Sequence, residues 1–205
     1  QSTQFEIDSI FPGLTISSPA ANSYHLSSAV LTGNCESGLP INFSGDLQTN
    51  FSTTCSGGTY SQTINFSDND GTKNITVDQT DAAGNTTSVT RSFIRDEVAP
   101  ILTLNSGANP DFTNQNTPNA WGGTCEGNYT INITGDQSAT ISCSSGSWSW
   151  TPSPVTVDGT YSYSLTQTDA AGNTSSPPLS VSWERDATPP VFNMSSPIAI
   201  SSGQT

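Results

Sequence analysis

Gln79-Thr80-Asp81-Ala82-Ala83-Gly84-Asn85-Thr86 recurs residue for residue as Gln167-Thr168-Asp169-Ala170-Ala171-Gly172-Asn173-Thr174. Self-similarity at a fixed period is the sequence mark of tandem modules. Working outward, the flanks repeat as well. Upstream, Asp70-Gly71-Thr72 returns as Asp158-Gly159-Thr160, and Gly33, Cys35, Glu36 and Cys55 return as Gly123, Cys125, Glu126 and Cys143. Downstream, Arg95-Asp96 followed by Pro100 returns as Arg185-Asp186 followed by Pro190, with Asp8 and Pro12 as an earlier, weaker copy. The anchors are spaced about 88 to 90 residues apart. Residues 1–7 therefore read as the end of a preceding strand or linker, 8–95 as one module and 96–185 as a second. Residues 186–205 read as a linker and the first strand of a third module that is cut off, so a longer natural protein is expected.

Within each repeat the apolar residues alternate, which is the period of a half-buried strand. Ile41 and Phe43 match Ile131 and Ile133; Ile75 and Val77 match Tyr161, Tyr163 and Leu165; Val89, Arg91 and Phe93 match Leu179, Val181 and Trp183. Tyr60, Ile64 and Phe66 share one parity. Turn signals at Gly45-Asp46, Gly57-Gly58, Asp70-Gly71 and Ala83-Gly84-Asn85 divide the runs. About seven short strands per repeat is the count of an immunoglobulin-like sandwich. The expectation is an all-β chain of two such sandwiches, with any helix no longer than one turn.

The run from Asp158 to Ser175, a closing strand, then Arg185-Asp186-Ala187-Thr188-Pro189-Pro190, resembles the bacterial immunoglobulin-like repeats of large surface adhesins. The resemblance covers both repeats and the start of the third. It implies an extracellular stalk or adhesin segment that projects something away from a bacterial surface, and it names no ligand. The chain departs from the family pattern in carrying two cysteines per repeat.

Composition narrows the function. Four Lys and Arg stand against seventeen Asp and Glu, a formal net charge of −13. Such a surface repels phosphate backbones, so no nucleic-acid partner is expected. No apolar run is long enough to cross a bilayer, so no membrane insertion is expected from this segment. The four cysteines, two per repeat at matching positions, favour Cys35–Cys55 and Cys125–Cys143 disulfides, with Cys35 closing the second strand and Cys55 preceding the fifth in the same sheet. A loop of that length contributes roughly 3 kcal/mol on the chain-entropy model. A four-cysteine zinc site and redox thiols are the alternatives, and no Cys-x-x-Cys supports either. Disulfides place the chain outside the cytoplasm.

The repeated acids gather at the ends of the modules. Asp8, Asp81 and Asn85 belong to the first joint. Asp96, Asp169 and Asn173, with Asp68 and Asp70 from the preceding module and Glu126 from a neighbouring loop, belong to the middle one. Asp158 and Asp186 belong to the last. Clustered oxygen ligands suit Ca²⁺, which would stiffen the joints. The competing reading makes them turn residues, whose carboxylates accept backbone hydrogen bonds, with Arg95 and Arg185 as salt-bridge partners.

Trp121 and Trp183 align with Leu31 and Phe93 as core residues, whereas Trp150 aligns with Gln62 and is a candidate contact for a sugar or protein partner. His25 is the only histidine, and no motif around it marks a catalytic site. The chain thus reads as a stalk or adhesin repeat in cell-surface attachment, not an enzyme. Two alternatives stand beside it: a glycan- or protein-binding module on the second repeat, and a filament subunit that self-associates by donating a strand from residues 190–205.

Overall fold

A computed structural model describes residues 7–193. It contains fourteen strands and no helix among those residues. The first seven are β1 (Tyr24–His25), β2 (Ser28–Asn34), β3 (Pro40–Gly45), β4 (Phe51–Thr54), β5 (Thr59–Asn65), β6 (Gly71–Thr80) and β7 (Thr86–Arg95). The second seven are β8 (Asp111–Thr113), β9 (Trp121–Thr124), β10 (Thr130–Gly135), β11 (Ala139–Ser142), β12 (Ser147–Trp150), β13 (Gly159–Gln167) and β14 (Leu179–Arg185). The two sets pair identically. One sheet runs β1-β7-β6-β3-β4 and faces the pair β2-β5; in the second copy β8-β14-β13-β10-β11 faces β9-β12. Each copy is an immunoglobulin-like sandwich. The strand-donation expectation rests largely on residues 194–205, which lie outside the described residues.

The alternation seen in the sequence becomes two separate cores. Leu31, Ile41, Phe43, Ile64, Phe66, Ile75, Val77 and Phe93 are all 1% exposed or less in the first, and Trp121, Ile131, Ile133, Leu165 and Trp183 in the second. The second module reaches the same end with fewer, larger side chains. Its β12 stops at Trp150 where β5 continues to Asn65, because Pro152 and Pro154 follow and proline has no N–H for the ladder. Trp150 shares the inward parity of Trp148, is half-buried, stacks on Trp121 at 5.9 Å and meets Tyr163 edge-on at 4.9 Å. It fills the volume that the shorter strand leaves.

Ahead of each β1-type strand runs a segment that regular strand patterns do not reveal. Thr15 N–H donates to Asn34 O (3.0 Å) and Ser17 N–H to Thr32 O (2.7 Å), which lays residues 15–18 along β2. Thr103 and Asn105 lie along β9 in the same way, through Thr124 O (3.1 Å) and Gly122 O (2.8 Å). The close approach requires a glycine. A Cβ on Gly33 would sit 1.9 Å from Thr15 O, and one on Gly123 would sit 1.8 Å from Thr103 O. The same carbonyls are capped from inside the sandwich, by Tyr60 Oη in one module (2.8 Å) and Trp148 Nε1 in the other (3.1 Å). Burial pushes the Tyr60 phenol up to about 12, with the nearby Arg91 guanidinium pulling the other way. The hydroxyl therefore stays a donor.

Candidate functional site

The repeated acids sit at the two ends of each sandwich, and they act on the linkers. Three linker aspartates behave alike. Asp8, Asp96 and Asp186 each accept, on Oδ1, the N–H of the residue two positions on: Ile10 at 2.9 Å, Val98 at 3.0 Å and Thr188 at 3.0 Å. These are Asx turns, in which a short carboxylate replaces a backbone acceptor.

The incoming end of a module holds the linker through an asparagine. Asn85 Nδ2 donates to Asp8 O (3.2 Å) and Ile10 O (3.3 Å), and Asn173 Nδ2 donates to Asp96 O (3.0 Å). Each asparagine is aimed by the aspartate that opens its loop. Asp81 Oδ1 accepts from Ala83 N–H and Asn85 N–H, and its Oδ2 accepts from Asn85 Nδ2 at 2.8 Å. Asp169 Oδ1 takes three backbone N–H groups, from Ala171, Gly172 and Asn173, while its Oδ2 takes Asn173 Nδ2 at 2.8 Å. The hydrogen bond from the Asn85 side chain, with the loop N–H groups behind it, holds the Asp81 carboxyl below its usual range.

The outgoing end holds the next linker through an acid–arginine pair. Asp70 Oδ2 accepts Glu97 N–H (3.0 Å), and Arg95, itself only 8% exposed, reaches Glu97 Oε2 (2.6 Å) and Ser67 O (3.3 Å) with Asp70 4.0 Å away. In the second module Asp158 accepts Ala187 N–H (3.0 Å) and the Thr188 hydroxyl (2.6 Å), and it pairs with Arg185. These contacts, led by the Thr188 hydroxyl, hold the Asp158 carboxyl below its usual range. The chain leaving β7 is tied back to β1 by Asp96 N–H on His25 O (2.9 Å), and Asp186 N–H repeats this on Thr113 O (3.1 Å). At the middle joint two consecutive residues are thus gripped from opposite sides: Asp96 by the second module and Glu97 by the first.

The cation question turns on which oxygens remain. Among the described residues no three carboxylate, histidine or cysteine side chains are arranged to hold a metal ion. Asp81, Asp169 and Asp158 are taken up by N–H and O–H donors, and Asn85 and Asn173 turn their NH₂ groups, not their oxygens, toward the linker. Asp68 contributes its backbone carbonyl, which accepts from Lys73 Nζ at 3.0 Å. Glu126 differs. Burial and the nearby charges of Asp169 and Asp96 push its carboxyl upward, and among the described residues no hydrogen-bond donor meets that carboxylate.

Both cysteine pairs form: Cys35–Cys55, 20 residues apart, and Cys125–Cys143, 18 apart, with Cα–Cα distances of 6.0 and 5.9 Å. Beside each lies a buried glutamine that sequence reasoning missed. Gln79 accepts Glu36 N–H (2.8 Å) and donates to Glu36 O (2.9 Å) and Leu39 O (3.4 Å). Gln167 does the same with Glu126 N–H (2.9 Å), Glu126 O (2.9 Å) and Tyr129 O (3.2 Å). Both are 0% exposed. Each opens the duplicated octet, which is the one sequence signal that marks it. His25 lies against Phe66 and Phe93, with Ser23 Oγ 2.8 Å from its Nε2 and 2.7 Å from Ala20 O. It packs the end of β1 against the core, and burial lowers its pKa.

Two family models match the chain, both describing a bacterial Ig-like domain, over residues 39–97 and residues 101–182. No curated protein matches it. Similar solved structures include the fibronectin(III)-like modules of CbhA from Clostridium thermocellum, at 15% identity and a TM-score of 0.49, covering 84% of this chain and 94% of that one. They also include a tetra-tandem repeat from the extending region of a large adhesion protein, at 19% identity and 0.40, covering 87% and 50%. A Ca²⁺-stabilized adhesin that helps an Antarctic bacterium reach out and bind ice gives 20% identity and 0.44, covering 88% and 49%. The chain spans about half the length of these last two. With one such match in each of the two sandwiches, over residues 39–97 and 101–182, the chain belongs to the bacterial Ig-like domain family.

Proposed function

We propose that the chain is a non-catalytic spacer in an extracellular bacterial stalk or adhesin, with boundaries at 95/96 and 185/186, whose work is to hold successive modules in fixed relation. The observation that carries this is the double grip on the middle linker, Asn173 on the Asp96 carbonyl and Asp70 on the Glu97 N–H. A flexible tether has no use for such contacts. Fluorophores introduced through non-canonical residues, one per module, measure the inter-module distance in single molecules. The reading expects one narrow distribution, broadened in the Asp70→Ala/Asn173→Ala double variant. A broad distribution in the parent chain overturns it.

A second reading concerns calcium, and Glu126 is the observation that favours it. Its carboxylate meets no donor among the described residues and feels the charges of Asp96 and Asp169; the three are not arranged around a common point, so Glu126 and Asp96 would have to turn in to hold a Ca²⁺ with Asp169. Calcium should raise the melting temperature of the chelator-treated chain and leave Glu126→Gln unmoved; equal responses, or none, dismiss the middle joint as the site. Binding of a surface glycan through Trp150 receives little support, because Trp121 and Tyr163 already cover that indole.

A further inference from the structure

We infer that each module is built to resist being pulled from its two ends, with the first and last strands locked in shear by a side-chain clamp that differs between the modules. The inference rests on the spacer reading, since only a chain held at both ends carries tension.

Tension enters a module beside the Asp81–Asn85 loop, where the incoming linker is held, and leaves at the opposite end, beside Asp70. Past residues 15–18, which lie along β2, the pull reaches β1 and β7, and these are parallel, with Tyr24 opposite Ile94 and His25 opposite Arg95. Pulling the chain upstream of β1 one way and the chain downstream of β7 the other slides the two strands past each other. Their hydrogen bonds, Asn22 N–H to Ser92 O (2.8 Å), Ile94 N–H to Ser23 O (3.0 Å) and Asp96 N–H to His25 O (2.9 Å), are loaded together instead of being opened one at a time. The second module repeats the arrangement in β8 and β14, parallel, with Trp183, Glu184 and Arg185 opposite Asp111, Phe112 and Thr113.

Two or three rungs make a short ladder, and each module extends it with a side chain. In the first, Arg91 sits at an inward-facing position of β7. Its guanidinium donates to Pro19 O (2.6 Å) and to Ile16 O, both on the segment that leads into β1. A fork of charged donors across two backbone carbonyls is stronger than neutral rungs. The second module has Val181 at that place, and its clamp comes from the other partner. Asn109, on the segment leading into β8, donates from Nδ2 to Ser180 O (2.9 Å) and accepts Ser182 N–H on Oδ1 (2.9 Å), so one amide side chain forms two rungs with β14. Two unrelated side chains thus tie the first strand to the last at corresponding places.

The disulfides lie off this path. Each joins the loops flanking the β2–β5 or β9–β12 pair and bridges neither terminal strand. They leave the clamp to bear the load and then limit what its rupture releases. At roughly 3.6 Å per extended residue, the 20- and 18-residue separations withhold about 70 and 65 Å of chain.

The test is to pull the full chain by its termini in an optical trap. Two unfolding steps are expected, each lengthening by about those amounts after reduction. Arg91→Met should speed one step, and Asn109→Ala the other, by about tenfold or more at fixed force, since each removes two hydrogen bonds between the first and last strands. Should Arg91→Met fail to fold, the exposed Asn109 decides the matter. Folded variants that rupture at the parental rate overturn the inference, as does a step length unaffected by reductant. Ruptures that shift as expected in a chain with a broad inter-module distance would sink the rigid spacer and leave the clamp standing; the reverse pattern would sink the clamp alone.

Discussion

Gln167→Leu isolates one contribution and reads it cleanly. Leucine nearly matches glutamine in volume, so the cavity term is small. What is lost is the partner of Glu126 N–H and Glu126 O; Tyr129 O keeps its second bond, from Cys143 N–H at 3.0 Å. Each orphaned buried group costs about 1–3 kcal/mol. Glu126 is half-buried, so water recovers part of this and about 3 kcal/mol is expected in all. With a urea slope of about 1–3 kcal/mol/M for a domain of this size, the midpoint falls by roughly 1–3 M. The assay is built in. All four tryptophans, Trp121, Trp148, Trp150 and Trp183, belong to the second module, so their fluorescence follows that module alone. Gln79→Leu makes the same lesion in the first module and should leave the tryptophan transition in place. A shift under a few tenths of a molar for Gln167→Leu, or an equal shift for Gln79→Leu, refutes the reasoning: the first denies the loop staple and the second denies separate cores.

Gly123→Ala should expel the segment around Thr103 from β9, because the new methyl would stand 1.8 Å from a carbonyl; a loss of more than about 3 kcal/mol by tryptophan fluorescence is expected, and a near-neutral result dismisses the close approach. Glu126→Gln should melt higher than the parent at pH 7. A carboxyl whose folded-state pKa is raised contributes stability below its ordinary pKa and loses it as pH rises through the raised one, so the two melting curves should converge near about pH 4; a constant offset counts against the charge argument. Reduction of the disulfides should cost each module about 3 kcal/mol, with the tryptophan signal reporting the Cys125–Cys143 share; an unchanged urea midpoint under reductant dismisses that contribution.

What the sequence disclosed was whatever local pattern encodes. Alternation along β3, β6 and β7 is a property of neighbouring residues, and so are the turn residues that end them. The duplicated octet made the modules visible without any fold. The rest depends on distant pairing. β1 and β8 are two and three residues long, too short for a period, and they form only because β7 and β14 offer an edge. The partners of Gln79 and Gln167 lie about forty residues away, so nothing near them marks their role. Trp150 was misleading for a related reason. Its alignment with Gln62 suggested an outlier, but the shortened β12 turned that position into a place for a large ring. The linker aspartates showed their location in the sequence and withheld their chemistry, because an Asx turn and a cation site use the same residues.

Apart from the disulfides, the buried glutamines and the glycines of the close approach, the two modules diverge inside and agree at their ends, and this bears on what holds them to one architecture. Tyr60 and Trp148 cap the same carbonyl with different donors. Lys73 reaches Asp68 O where Tyr161, at the matching position, reaches Val157 O. Arg91 and Asn109 tie the first strand to the last from opposite partners. Each exchange preserves a hydrogen bond while changing the side chain that makes it, which is what a sandwich tolerates when only the partner atom is specified. The joint does not vary in this way. Asn85 and Asn173 both hold the carbonyl of an aspartate 77 positions upstream. Asp70 and Asp158 both hold the N–H that follows the linker aspartate. A core can be satisfied by many combinations of volume and donor, whereas a linker gripped from two rigid bodies has one register. Constraint therefore concentrates where one module meets the next, and those are the positions that the duplicated motif marks.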